Sequence, residues 1–277
     1  MSYKTILVHV DNGKYAAGRV EVALGLAERF DAHLIGLYAE SSIRAPSYAL
    51  AEGGQMFIDA LRRNERERLA QATETFGSLV NRSGWTRTEW RASSADAPEA
   101  ISLHARYADL VVMGQWAPDD SADHSKDMPA RVLLQCGRPV LIMPYAHEKR
   151  PIGERVLVAW NTSREATRAV TDALGFLTTA KKVGVVAFNP RPGDGHGAQP
   201  GTDIATWLSR HGVQVEVAQQ TVPELDVGNQ LLSRAADVSA DMIVMGAYGH
   251  SRFQEMVLGG VTRTLLESMT VPVLMSH

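Results

Sequence analysis

The chain has 277 residues, 28 Lys and Arg against 31 Asp and Glu, a formal net charge of −3 and 21% charged residues. That length suits two domains of about 130 to 150 residues, each able to bury a core, and the charge balance lacks the basic excess that nucleic acid attracts. Cys136 is the single cysteine, which excludes an internal disulfide and a thiolate metal cage and fits a buried inert thiol in a reducing cytoplasm.

Taken in chain order, "TILVHVDN" (5 to 12) is a short apolar run that meets a charge at Asp11. It reads as a strand, too short for a signal-peptide core or a membrane span. With no segment near 18 apolar residues, a soluble, unprocessed protein is expected. An insertion between Ala39 and Arg68 reads as a loop leading into a long amphipathic helix that runs on past it, with Leu61, Leu69, Ala72, Phe76 and Leu79 inward. Within it "RRNERERL" (62 to 69) alternates Arg with Glu and reads as a solvated face. "ADLVVMGQW" (108 to 116) is a buried strand, and "APDDSADHSKDMP" (117 to 129) is an acidic loop holding Asp119, Asp120, Asp123, His124 and Asp127. Its carboxylates lack the regular alternation and glycine of a calcium loop, so a solvated loop is expected. "ARVLLQCGRPVLIMP" (130 to 144) closes this half, and "PYAHEKRPIGE" (144 to 154) reads as a linker.

The second half repeats the first. "RVLVAWNT" (155 to 162) matches the opening strand at an offset of 150 residues, and "ADMIVMGAY" (240 to 248) matches "ADLVVMGQW" at 132, so the first copy carries about 18 extra residues around 40 to 67. After the strand "RVLVAW", Ala166, Ala169, Val170, Ala173, Leu174 and Leu177 predict one helix, with Thr162 and Glu165 at capping-box spacing. "KVGVVAF" is a buried strand. "GDGHGA" (193 to 198) resembles a dinucleotide fingerprint but follows Pro190 and Pro192 instead of opening a helix, so it reads as a flexible loop. A helix with Ile204, Trp207, Leu208 and His211 leads to "GVQVEVAQ" (212 to 219), whose period of two predicts a half-buried edge strand. A helix through Val227, Leu231, Leu232 and Ala235, the strand "MIVM", a helix with Val261, Leu265 and Met269 and the strand "PVLM" complete five strands with four helices between them. Such alternation predicts an α/β doubly wound sheet in each copy, with ligands outside the carboxyl ends of the strands.

"VMGAYGHSRFQEMVLGGVTRTLL" (244 to 266) spaces Gly246, Gly249, Gly259 and Gly260 between strand and helix. Glycines there clear the way to backbone N–H groups at the positive end of a helix dipole, a setting for phosphate; capping of strand and helix is the plainer alternative. In the first copy Gly246 maps to Gly114, but Gly249, Gly259 and Gly260 map to Ala117, Asp127 and Met128, and the acidic loop would repel a phosphate.

The glycine stretch, "VMG" before it and "PVLM" after it resemble the universal stress protein family, whose nucleotide loop reads G-x2-G-x9-G-(S/T). The resemblance covers both copies, as a tandem member with domains at 1–147 and 148–277. It implies two Rossmann-like three-layer α/β/α domains (adenine nucleotide alpha hydrolase-like), each a five-stranded mostly parallel sheet in the order 3-2-1-4-5. It further implies ATP, with Mg²⁺ as a companion, at Ala159, Trp160, Asn161 and Phe188 for adenine and ribose, and at Met245, Gly246, Gly249, His250, Gly259, Gly260, Val261 and Thr262 for ribose and phosphates; the first-half site is expected to be empty. Two positions depart from the family pattern. Gly260 stands where Ser or Thr is usual, removing a hydroxyl worth roughly 10- to 150-fold in affinity unless Thr262 compensates, and Asn161 stands where Asp is frequent.

No metal-holding carboxylate or placed base is visible beside the loop, no P-loop occurs, and no serine sits in a nucleophile elbow. His250 is the one titratable group inside the stretch. The expected function is therefore an ATP-binding cytoplasmic stress-response module without catalytic or metal-ligating residues, acting by signalling or protection. The alternatives are a slow ATP-hydrolysing or nucleotidyl-transferring enzyme using the same crevice, and an interaction protein that binds no nucleotide. The partners implied are an adenine nucleotide, no nucleic acid and no membrane. "RPVLIMP" and "VPVLMSH" are the expected contact of an intramolecular pseudo-dimer, with a homodimer of whole chains possible.

Overall fold

The computed structural model describes residues 3–39, 54–120, 125–145, 147, 151–190, 200–221, 227–249 and 260–277. The expectations for His250, Gly259, Asp123, His124, the 193 to 198 loop and the first part of the insertion lie outside the described residues. The first half alternates β1 (Thr5–His9), α1 (Ala16–Phe30), β2 (His33–Ala39), α2 (Gly54–Ser83), β3 (Thr88–Ser93), α3 (Ala97–Ala105), β4 (Leu110–Gly114), α4 (Met128–Gln135) and β5 (Val140–Met143). The second contains β6 (Arg155–Ala159), α5 (Arg164–Asp172), α6 (Leu174–Leu177), β7 (Lys182–Phe188), α7 (Thr202–Arg210), β8 (Val215–Gln220), α8 (Val227–Asp237), β9 (Met242–Gly246), α9 (Gly260–Ser268) and β10 (Val273–Ser276). The helix expected as one piece after β6 is divided at Ala173, which caps both α5 and α6.

Among the described residues the strands form a single sheet in the order β3-β2-β1-β4-β5-β10-β9-β6-β7-β8. Each half therefore has the expected 3-2-1-4-5 order. The apolar runs "TILVH" and "MIVM" make central strands because both of their faces are covered, as parallel sheets require. Pairing is parallel except where β10 meets β5, with Leu274 opposite Leu141 in antiparallel register. Val140, Leu141, Ile142, Val273, Leu274 and Met275 are all fully buried there. Burial of each such side chain contributes at most about 1.5 to 3 kcal/mol, so the seam is a core and not a surface contact.

The strand period of two divides the core into two layers. Ile6 and Val8 point to the face covered by α1, α2, α5 and α7, while Leu7 points to the face covered by α3, α4, α8 and α9. Both layers run through both halves. Tyr3, Phe30 and Phe176 cluster across the halves with ring centroids 4.9 to 5.5 Å apart. Gln115 Nε2 donates to the Leu266 carbonyl at 2.9 Å, and Arg168 donates to the carbonyls of His277 and Gly137. In α2, Ala72, Phe76 and Leu79 are buried as expected, and Leu69 packs against them. Gly36 permits that approach, since a Cβ on it would lie 2.6 Å from the Phe76 ring.

A repeated aspartate anchors each copy. Asp109 accepts from the backbone N–H of Lys4 and Thr5 at 2.7 and 2.9 Å, and Asp241 accepts from Gly153, Glu154 and Arg155 at 2.7 to 3.1 Å. The "AD" shared by the two halves is thus the clamp that starts the first strand of each.

Candidate functional site

In the second half the strand order reverses between β6 and β9, and the turns leaving these strands meet. After β6, Thr162 adopts a left-handed φ of 63°. This shifts the helix cap: Ser163, not Thr162, is the N-cap of α5, its Oγ accepting from Ala166 N at 3.1 Å. Asn161 Oδ1 accepts from the N–H and hydroxyl of Ser163 at 3.2 and 2.8 Å. The expected capping box is therefore not formed, and Glu165 is released to another role.

After β9, Tyr248 has φ 58° and its N–H donates to Thr262 Oγ1 at 3.4 Å. Gly246 must be glycine, because any Cβ would run into the backbone of Glu165 and Ala166. Gly249 approaches the side chains of the same turn: a Cβ there would be 3.0 Å from Glu165 Oε2 and 3.1 Å from Ser163 Oγ. Gly260 opens α9, is exposed and has nothing among the described residues within 4 Å of the place where a Cβ would sit. No described side chain obstructs the N-terminal turn of α9 on that side, the geometry an anion needs.

Of the other expected site residues, Met245 is 5% exposed inside the core and Thr262 is 4% exposed, so neither side chain reaches the crevice. Thr262 Oγ1 accepts from the Tyr248 N–H of the turn after β9. Ala159, Trp160, Phe188 and Val261 are half-buried against the core, leaving edges and main chain toward the strand ends, and Asn161 is exposed.

Glu165 is the residue that sequence reasoning missed. Its carboxylate, 7% exposed, lies beside Gly249, so the expectation of no carboxylate next to the loop is corrected. Burial pushes this carboxyl up, but its own backbone N–H, Arg164 and the nearby His277 outweigh that and hold it below the ordinary value. Its ionised form is therefore the one present at neutral pH. His277, whose Nδ1 lies 3.0 Å from the Ala247 carbonyl, brings the chain end to the same crevice.

The first half is wired differently at the matching place. Arg19, 5% exposed, donates to the His9 carbonyl at 2.8 Å and to Asp11 Oδ2 at 2.5 Å. Its guanidinium fills the space beside Gly114 that α5 backbone occupies beside Gly246. The acidic loop is partly tied down: Asp120 Oδ1 accepts from Lys14 N at 3.1 Å, and Lys14 Nζ pairs with Asp119 at 2.5 Å. A cavity of about 740 Å³ runs along α1 and is lined also by Met143, Pro144, Tyr145, Ile152, Thr179 and Lys181. Among the described residues no group of three or more His, Cys, Asp or Glu is placed to hold a metal ion, and no helix is long and apolar enough to cross a membrane.

Residues 153–277 match the profile of the universal stress protein family. The chain is similar over 98% of its length to a universal stress protein from Archaeoglobus fulgidus DSM 4304, at 17% identity, covering 95% of that chain with a TM-score of 0.70. It is also similar over 99% of its length to a protein of unknown function from Pseudomonas aeruginosa PAO1, at 17% identity, covering 92% of that chain with a TM-score of 0.62. At such identities these likenesses establish the shared fold. No curated protein matches the chain.

Proposed function

We propose that residues 153–277, which match the universal stress protein family, bind an adenine nucleotide, ATP, in the crevice between β6 and β9. The observation that carries the reading is the open N-terminal turn of α9 at Gly260, set opposite the Gly246–Gly249 turn where strand order reverses. Backbone N–H groups of these turns would hold the phosphates, while main chain at Ala159 to Asn161 and the end of β7 at Phe188 would face the base and sugar. Asn161 and Glu165 are the side chains that would share a divalent cation with the phosphates, and the cation would offset the Glu165 charge. On this reading the chain is a cytoplasmic stress-response module of two domains, 1–147 and 148–277, that signals or protects by its loaded state.

Calorimetric titration of the whole chain with ATP, with and without Mg²⁺, tests the proposal; one site per chain is expected, and the absence of heat under both conditions overturns it. Gly260→Ser provides the sharper check. It restores a hydroxyl where the backbone has room and should tighten ATP about tenfold or more. One observation favours a second reading, slow ATP hydrolysis: Glu165 is a carboxylate beside the loop, able to orient water or metal. Steady-state release of phosphate that Glu165→Gln abolishes would support hydrolysis.

A further inference from the structure

Three large apolar side chains are exposed on one helical face of the first half, Leu103 at 51%, Tyr107 at 74% and Leu134 at 49%. Leu103 and Tyr107 stand four positions apart at the end of α3. The turn that carries this helix past its end, with the Arg106 N–H donating to the Leu103 carbonyl and the Tyr107 N–H to that of His104, keeps both on one side. Leu134 belongs to the neighbouring helix. Arg131 of α4 pairs with Asp96 at the start of α3 at 3.2 Å, and Arg138, after α4, donates to the Arg106 carbonyl at 3.0 Å. Leu134 comes three positions after Arg131, so it lies on the side of α4 that looks to α3, between these two ties. Single exposed apolar residues are ordinary, but a group of them on adjacent helices marks a contact surface. The stripe is confined to the first half: at the offset of 132 Tyr107 maps to Ser239, and Leu134 maps to Leu266, which packs against the core.

Two exposed charges flank Leu103 on this face, Glu99 one turn before it and Arg106 one turn after. Among the described residues neither side chain has a hydrogen bond or an ion pair within the chain. Their order makes the stripe self-complementary. When α3 of one copy lies antiparallel on α3 of another, with a two-fold axis at Leu103, Glu99 of each copy meets Arg106 of the other, and Leu103 meets its own equivalent. Parallel packing would instead set Glu99 against Glu99 and Arg106 against Arg106. The contact leaves the seam untouched, because β5 and β10 are paired with each other inside one chain.

We infer that α3, together with Leu134 of α4, is the face through which two copies of this chain associate, antiparallel about Leu103. The inference is independent of the nucleotide reading, since no residue proposed to hold ATP lies on α3 or α4.

Sedimentation equilibrium of the whole chain, without nucleotide, is the test. A stripe this short belongs to the weak class of interfaces, so a reversible monomer–dimer equilibrium in the micromolar range is expected. Leu103→Glu puts two carboxylates at the axis and should weaken the dimer about tenfold or more. Thermal unfolding should stay unchanged, because the position is exposed and glutamate suits a helix. Glu99→Arg and Arg106→Glu should each weaken the dimer about threefold or more, and the two together should return it to its original strength, since the exchange restores both pairs. A chain that stays monomeric through the micromolar range, assembly beyond two copies, a dimer indifferent to Leu103→Glu, or no recovery in the double variant would each overturn the inference.

Discussion

At the scale of single residues, two side chains decide how the two crevices differ. Glu165 places a buried carboxylate beside Gly249. A unit charge about 4 Å from a phosphate near a protein surface acts with an energy on the order of 4 kcal/mol, less after solvent relaxation. Glu165→Gln should therefore tighten metal-free ATP roughly tenfold and reduce the gain from adding Mg²⁺, both read by calorimetry. Arg19 has the opposite charge and a structural use, since it is buried against Asp11. Arg19→Ala leaves that carboxylate without its closest cation and should lower stability by about 3 to 5 kcal/mol in urea titration, whereas the double change Arg19→Met with Asp11→Asn should lose much less. The glycine spacing of the second half and its loss in the first were legible, because both are local. Glu165 was not: it lies 84 positions before Gly249 in the chain, and its spacing from Thr162 imitates a capping box that the left-handed turn at Thr162 cancels. The same holds for Asp109 and Asp241, visible as a repeated "AD" but meaningful only once the first strand of each copy lies beside them.

At the scale of elements, the alternation of apolar runs with helical periods was sufficient to place the five strands of the second half and to mark β8 as an edge, since a strand covered on two faces and one covered on a single face leave different patterns, whereas β2 and β3 of the first half were expected only through the repeat. The strand order came from resemblance, and the break at Ala173 left no mark because its neighbours keep the helical apolar pattern. The other edge strand, β3, carries a contact with its own chemistry. Arg91 donates to His104 Nδ1 of α3 at 3.1 Å, so that nitrogen must be the acceptor and the ring neutral, with its proton on Nε2. Burial first, and then the Arg91 charge, hold the His104 pKa below its ordinary value of 6.5. A base depressed in the folded state contributes fully above its unfolded pKa and loses that contribution as pH falls through it. Amides of β3 and α3 should therefore exchange faster between pH 7 and 5 in hydrogen-exchange measurements, and His104→Gln should flatten that dependence.

At the scale of the whole molecule, the antiparallel pairing of β5 with β10 turns two five-stranded sheets into one. Six fully buried side chains at that seam would face water if the halves parted. Co-expressed as two polypeptides divided after His147, the halves should copurify in equal amounts and migrate as one particle on gel filtration, while each expressed alone should aggregate through its bare strand. Leu274→Lys in the intact chain should produce a similar loss of soluble protein, because the new charge would be buried opposite Leu141. Carrying both copies on one polypeptide also fixes their dosage. Every ribosome that finishes this chain delivers one crevice of each kind, so their ratio cannot drift with expression level, and a lesion that loosens either side is inherited by both.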